Sequence, residues 1–290
     1  MRGPLLLLLL GCSLLSSTAQ TFNVQNYTPS VLLKVGQWEA KHYNNLYTQT
    51  YGFDAAGERQ ILGERGTWFA SINTVTTGVS SRLNVGAELW LRSVRIDAPE
   101  SSALDLFRFQ NNPMARTALA YGGPKVKWLP FANQQRLSVQ STLLIPLAAN
   151  LQGEMRNQPW LDADRYLWIT QLLWDQNLSE HWQVFADVAA WASIDRMGDG
   201  SATKFETPAK VFVSYFPTSR FTAFAMTEFW PTYGTKEWIS SYFWQVGLGS
   251  KVQIIPGLLE GEAMVTQFLK GKNNGAGRTF NLGVRVIWGS

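Results

Sequence analysis

The chain has 290 residues, with 25 basic against 21 acidic side chains, one cysteine and 13 tryptophans. A net charge of +4 without a basic run argues against nucleic acid as a partner, and a lone cysteine leaves no disulfide framework or thiolate metal site. Beyond the first 19 residues no apolar stretch reaches the length of a transmembrane helix, so any membrane span in this tryptophan-rich chain has to be built from strands.

Residues 1–19 have the order of a secretory leader. Arg2 is the only early charge, Leu5 to Leu10 is unbroken and apolar, and Ser17-Thr18-Ala19 supplies small residues before a cleavage point at Gln20. A competing reading takes Leu9-Leu10-Gly11-Cys12 as a lipoprotein-type cleavage box, although the apolar run continues past it at Leu14-Leu15. Cleavage after Ala19 leaves a mature chain without cysteine, with 24 basic residues against 21 acidic. Residues 20–30 are expected to form a short periplasmic segment, and 31–290 a single barrel domain.

From there, apolar and polar residues alternate with the period of two that belongs to strands. The alternation predicts strands at about 31–41, 67–78, 82–95, 115–129, 136–147, 164–175, 181–194, 206–216, 220–229, 237–254, 259–270 and 279–288. In the third, Leu83, Val85, Ala87, Leu89 and Leu91 oppose Arg82, Asn84, Gly86, Glu88 and Arg92. In the last, Phe280, Leu282, Val284, Val286 and Trp288 oppose Thr279, Asn281, Gly283, Arg285 and Ile287. Many of these runs exceed the five or six residues usual in soluble sheets and suit a tilted membrane strand.

The connections alternate as well. "VSSR", "PFANQQ", "QNLSE", "PTS" and "IPGL" are tight, whereas about 42–66, 96–114, 148–163, 195–205, 230–236 and 271–278 are longer or more polar. Short periplasmic turns alternating with longer extracellular loops are the signature of an up-and-down antiparallel transmembrane β-barrel, here of about twelve strands. Greek-key sandwiches, the architecture of a tryptophan-rich secreted lectin, give no reason for such alternation. The apolar faces then meet lipid. Trp128, Trp174, Trp182 and Trp288 are expected as aromatic anchors beside the short turns, and Trp38, Trp230 and Trp238 nearer the long loops.

The leader, the even set of strands and "FNLGVRVIW" near the carboxy terminus resemble Gram-negative outer-membrane β-barrel proteins. The resemblance implies that this terminal strand is read by the barrel-insertion machinery, although Gly289 and Ser290 follow its last aromatic. "HYNNLYTQT", "GGPKVKWLPF" and "LSVQSTLLIP" further resemble a porin-like group of such barrels, which implies an architecture and outer-membrane lipid and lipopolysaccharide as surroundings. Twelve-stranded outer-membrane phospholipases resemble it in strand number, but no serine motif of theirs accompanies His42 or His181. Those two histidines are expected on opposite sides of the membrane. Asp54, Glu58 and Glu64 near His42 read as a solvated loop rather than a protease cluster, and "GDGS" at 198–201 as a polar turn. No phosphate-binding loop or metal spacing appears, and no cofactor is implied.

Chemistry is therefore expected in the lumen. Phase places Glu39, Glu88, Lys125, Lys127, Arg136, Asp187, Glu228, Lys251, Glu260, Glu262 and Arg285 inward, with the phase of the first, second and sixth strands open. Gly86, Ser138, Thr142, Gly247 and Gly283 share that side and are expected to leave room for water. Mixed charges point to a narrow channel for small polar solutes; the alternative is an occluded barrel that binds surfaces through its long loops.

Overall fold

The structure is a computed structural model that describes residues 29–153, 158–196, 203–234 and 237–289. The expected leader with Cys12, the cleavage point before Gln20 and the 198–201 turn lie outside the described residues.

Twelve antiparallel strands close into a barrel. They are β1 Trp38–Phe53, β2 Arg59–Ser80, β3 Leu83–Asp97, β4 Ala115–Trp128, β5 Leu137–Pro146 and β6 Arg165–Asn177. The second half comprises β7 Trp182–Asp195, β8 (Lys204–Glu206 and Ala209–Tyr215), β9 Phe221–Tyr233, β10 Ser241–Ile255, β11 Leu259–Lys272 and β12 Arg278–Trp288. β12 pairs back with β1 from Trp38 opposite Trp288 to Thr48 opposite Arg278, so no edge is left open. β8 breaks at Thr207-Pro208, where proline offers no N–H to the ladder, while the Pro208 carbonyl still accepts from the Ala189 N–H at 2.8 Å.

Short turns and the start of β1 gather at one end, the turn end; the other is the loop end. The alternation of lengths is less regular than expected. The connection expected over 42–66 is only 54–58, because β1 and β2 continue beyond the barrel as a paired hairpin. "PFANQQ" belongs to a longer turn, 129–136.

The first strand is the clearest correction. Val31-Leu32-Leu33 reads as its apolar start, yet Gly36 adopts φ 82°, a left-handed conformation that turns the chain before β1 begins at Trp38. Residues 29–33 instead run inside the barrel at the turn end, burying Ser30 and Leu33. Trp38, expected near the long loops, stacks on Trp288 at the turn end with ring centroids 6.5 Å apart.

Outward positions are apolar along the wall, including Leu89, Leu143, Val188, Val213, Leu248 and Leu282. The face of β12 from Phe280 to Trp288 is among them. At the loop end the β3–β4 connection lies against this outer wall. Its short 3-10 helix, Ala103–Arg108, presses Leu106 onto outward-facing Leu46 and Phe69, and Phe107 and Phe109 pack edge-on to Phe69.

Candidate functional site: the barrel lumen

Cross-strand partners share a face, so one inward residue fixes the phase of the whole barrel. Register carries it from Asn84 opposite Lys127, through Lys127 opposite Gln140 and Gln140 opposite Gln171, around to Glu260 opposite Arg285. Three layers result.

The first layer, about midway along the wall, is charged. Glu88 binds the Lys125 ammonium at 2.5 Å and accepts the Trp90 indole N–H at 2.9 Å. Lys251 meets Glu262 at 3.0 Å, Lys210 meets Glu228 at 3.2 Å, and Arg285 meets Glu260 at 3.1 Å. Glu39 lies 3.2 Å from Lys41 and 3.8 Å from Arg285. Asp187 accepts from the Gln171 amide at 2.9 Å and stands opposite Lys210 in the register. Lys127 reaches the carbonyl oxygens of Pro29 and Val31 at 2.5 and 2.7 Å. Arg136, grouped with these by phase, lies in the β4–β5 turn before β5 begins and binds Gln176 at 3.0 Å, so it belongs to the rim. Lys41 and Lys210 complete the layer and were not singled out from sequence.

Above it, towards the loop end, runs an aromatic girdle. Trp68, Tyr47, Phe268, Phe243, Trp230, Trp191, Trp90 and Tyr121 follow one another with centroids 4.4–6.3 Å apart. Trp68 closes it by packing on the cluster that contains Trp90. Trp230 is thus inside the barrel and not an outer anchor: it shares the face of Glu228 two residues earlier. Trp238 is no anchor in the wall either. It stands in the β9–β10 connection, 80% exposed, against Tyr233. Trp128, Trp174, Trp182 and Trp288 face outward at the turn end. Two further outward tryptophans, Trp168 and Trp244, satisfy their indole N–H groups on Ser141 and Thr227 at 2.9 and 2.7 Å.

The third layer closes the loop end. Leu151 and Leu161 of the β5–β6 connection are buried against Trp90, Tyr121 and Leu144. Arg92 holds Asp162 at 2.9 Å, Arg116 holds the Asn150 carbonyl at 2.9 Å, and the Tyr121 hydroxyl donates to the Ala163 carbonyl. Between this connection and residues 29–33 lie two adjoining cavities of about 340 and 230 Å³, which share Pro29, Lys41, Lys125, Phe185, Phe212 and Arg285 in their walls.

The small inward residues do not all leave room. A Cβ on Gly247 would come within 2.8 Å of the Thr266 methyl, and Ser138 and Thr142 are buried. Gly283, by contrast, lines the larger cavity.

His42 is placed differently from expectation, whereas His181 lies in a short turn as expected. His42 lies within β1 on the outer face, bonded to Asn73 at 2.7 Å and to the Asn44 amide at 2.9 Å. His181 sits in the β6–β7 turn, with its ring nitrogen 3.0 Å from the Phe216 carbonyl. Asp54 and Glu58 form the tip of the β1–β2 hairpin and Glu64 lies in its β2 arm. The described residues contain no group of three or more metal-type side chains.

The fold has solved counterparts. A COG4313 outer-membrane channel from Pseudomonas putida F1 superposes with a TM-score of 0.65 at 12% identity, over 90% of this chain and 98% of that one. The fold is that of a closed twelve-stranded outer-membrane β-barrel. The β domain of the Bordetella autotransporter BrkA follows at 0.53 and 10% identity, over 87% and 99% of the two chains. The NanC porin gives 0.46 at 10% identity, over 85% and 98%. No protein-family model matches, and no curated protein matches.

Proposed function

We propose that the chain is an integral outer-membrane channel, exported by its leader, with the turn end in the periplasm and the loop end outside. It passes small solutes that carry an apolar body. The girdle of eight aromatic rings above the charged layer is the observation that supports this cargo. Six acids (Glu39, Glu88, Asp187, Glu228, Glu260, Glu262) and six bases (Lys41, Lys125, Lys127, Lys210, Lys251, Arg285) face one another in that layer, so it favours neither sign strongly. A hydrated ion gains little from aromatic faces, and an apolar constriction tends to exclude water. A solute with a ring or alkyl body replaces that water with dispersion contact. The small polar solute expected from sequence fits this lining less well.

The outer wall suits lipid, and exposed Lys270 and Arg278 at the loop end are positioned for lipopolysaccharide phosphates. The carboxy-terminal strand supplies the signal for the insertion machinery. No catalytic role is assigned to any residue.

The test is entry of the hydrophobic dye N-phenylnaphthylamine into intact cells that make the barrel. Faster uptake than in cells lacking it is expected, with a changed rate for Trp191→Ala. Uptake equal to that of cells without the barrel refutes the reading.

A further inference from the structure

The smaller cavity has an unbalanced wall. Five cations (Lys41, Lys125, Lys127, Lys210 and Arg285) line it, against two carboxylates, Glu39 and Asp187. Four of the cations also reach a carboxylate, but Glu88, Glu228 and Glu260 do so from outside this cavity's lining.

Lys127 differs. It is buried, and among the described residues no carboxylate lies within 4.0 Å of its ammonium. Its two hydrogen bonds go to neutral oxygens of the chain's own amino-terminal segment. Removing an ammonium from water is costly, and two carbonyl dipoles offset that less fully than an opposite charge does. A buried cation that holds two neutral oxygens, and whose four neighbouring cations are already paired with carboxylates, is the one group here set up for an oxyanion.

We propose that this cavity binds the oxyanion head group of the transported solute, a carboxylate or phosphate monoester, with Lys127 as its principal partner. The inference rests on the channel reading and deepens it: the aromatic girdle takes the apolar body and the cationic chamber takes the head. The Lys127 ammonium has three N–H donors, and with two of them on Pro29 and Val31 the third is left for a solute oxyanion.

The test uses the refolded full barrel in lipid nanodiscs, with empty nanodiscs subtracted. Octanoate, octyl phosphate and the neutral octanamide are titrated and followed by intrinsic tryptophan fluorescence. A charge-assisted bond made in place of a neutral one predicts about tenfold tighter binding of an anionic probe than of octanamide. The tighter of the two anionic probes identifies the head group. Lys127→Met and Lys127→Gln, each checked for native gel migration, should bring that ratio close to one while octanamide binding persists. Arg59→Met, exposed at the far end of the β1–β2 hairpin, should leave it unchanged. Octanamide binding as tightly as both anions, or a ratio that survives both Lys127 variants, overturns the oxyanion site and leaves the channel reading standing. Failure of all three probes to bind likewise overturns the oxyanion site, whereas the channel reading falls only with dye uptake equal to that of cells without the barrel.

Discussion

Replacing Glu88 tests whether the charges of the first layer of the lumen are paired in a dry wall or bathed by water. In Glu88→Met the Lys125 ammonium loses its carboxylate at 2.5 Å and the Trp90 indole loses its acceptor at 2.9 Å. Both side chains of the pair are buried, at 13% and 9% exposure, so solvent screens the loss poorly. Removing one partner of a buried pair costs about 3–5 kcal/mol, chiefly because the other charge is left uncompensated. The orphaned indole N–H adds about 1–3 kcal/mol at most, and the two losses overlap because one carboxylate serves both groups. The expected destabilisation is therefore about 3–5 kcal/mol. Adding Lys125→Met removes the stranded charge and should restore most of it, leaving the double variant within about 2 kcal/mol of wild type. Reversible urea unfolding of the refolded barrel, run as a double-mutant cycle, reads both quantities. A Glu88→Met barrel within about 1 kcal/mol of wild type refutes the argument, since water would then be solvating Lys125.

Trp230→Ala should cost about 3–5 kcal/mol in the same unfolding assay, because it opens the girdle between Trp191 and Phe243, whereas exposed Trp238→Ala should stay within about 0.5 kcal/mol. Single cysteines at Ser102 and Asn274 should react with an impermeant thiol reagent on intact cells, and those at Ser81, Asn177 and Ser219 only after the outer membrane is opened; the reverse pattern inverts the orientation. At the hairpin tip the Glu58 N–H, with the Gln60 side chain and the Ala56 and Gly57 N–H groups, holds the Asp54 carboxyl below its ordinary range. Because the folded value is the lower one, this contribution is present above the ordinary carboxylate range and is lost as pH falls through the lowered value. Amide exchange protection at Ala56 and Glu58 should decline over that acidic window, and protection independent of pH would contradict it.

Period two made most of the wall legible. β3, β7, β11 and β12 alternate so strictly that their lumen faces follow from sequence, and closure follows from an even number of long strands. β1 was hidden because Lys41, Tyr43 and Asn45 face inward while His42 and Asn44 face outward, so both faces are polar. The apolar residues just before it looked more like a strand than the strand did. Lys210 was within reach, since in "AKVFVSY" it shares a face with Phe212 and Ser214, opposite Ala209, Val211, Val213 and Tyr215. Trp230 was within reach: the same phase that turns Glu228 inward turns Trp230 inward, and only the expectation of an outer aromatic belt pointed elsewhere. The placement of residues 29–33 had no local signal, because it depends on Lys127, 96 to 98 positions along the chain.

Single-channel recording in planar bilayers tests the central claim most directly. The account predicts that the intact barrel conducts weakly, because residues 29–33 enter the lumen at the turn end and Leu151 and Leu161 of the β5–β6 connection are buried in it at the loop end. A variant lacking residues 20–33, refolded in parallel, should conduct several-fold more once the Lys127 contacts are gone. A wide, porin-like conductance in the intact barrel, unchanged by that truncation, would contradict it.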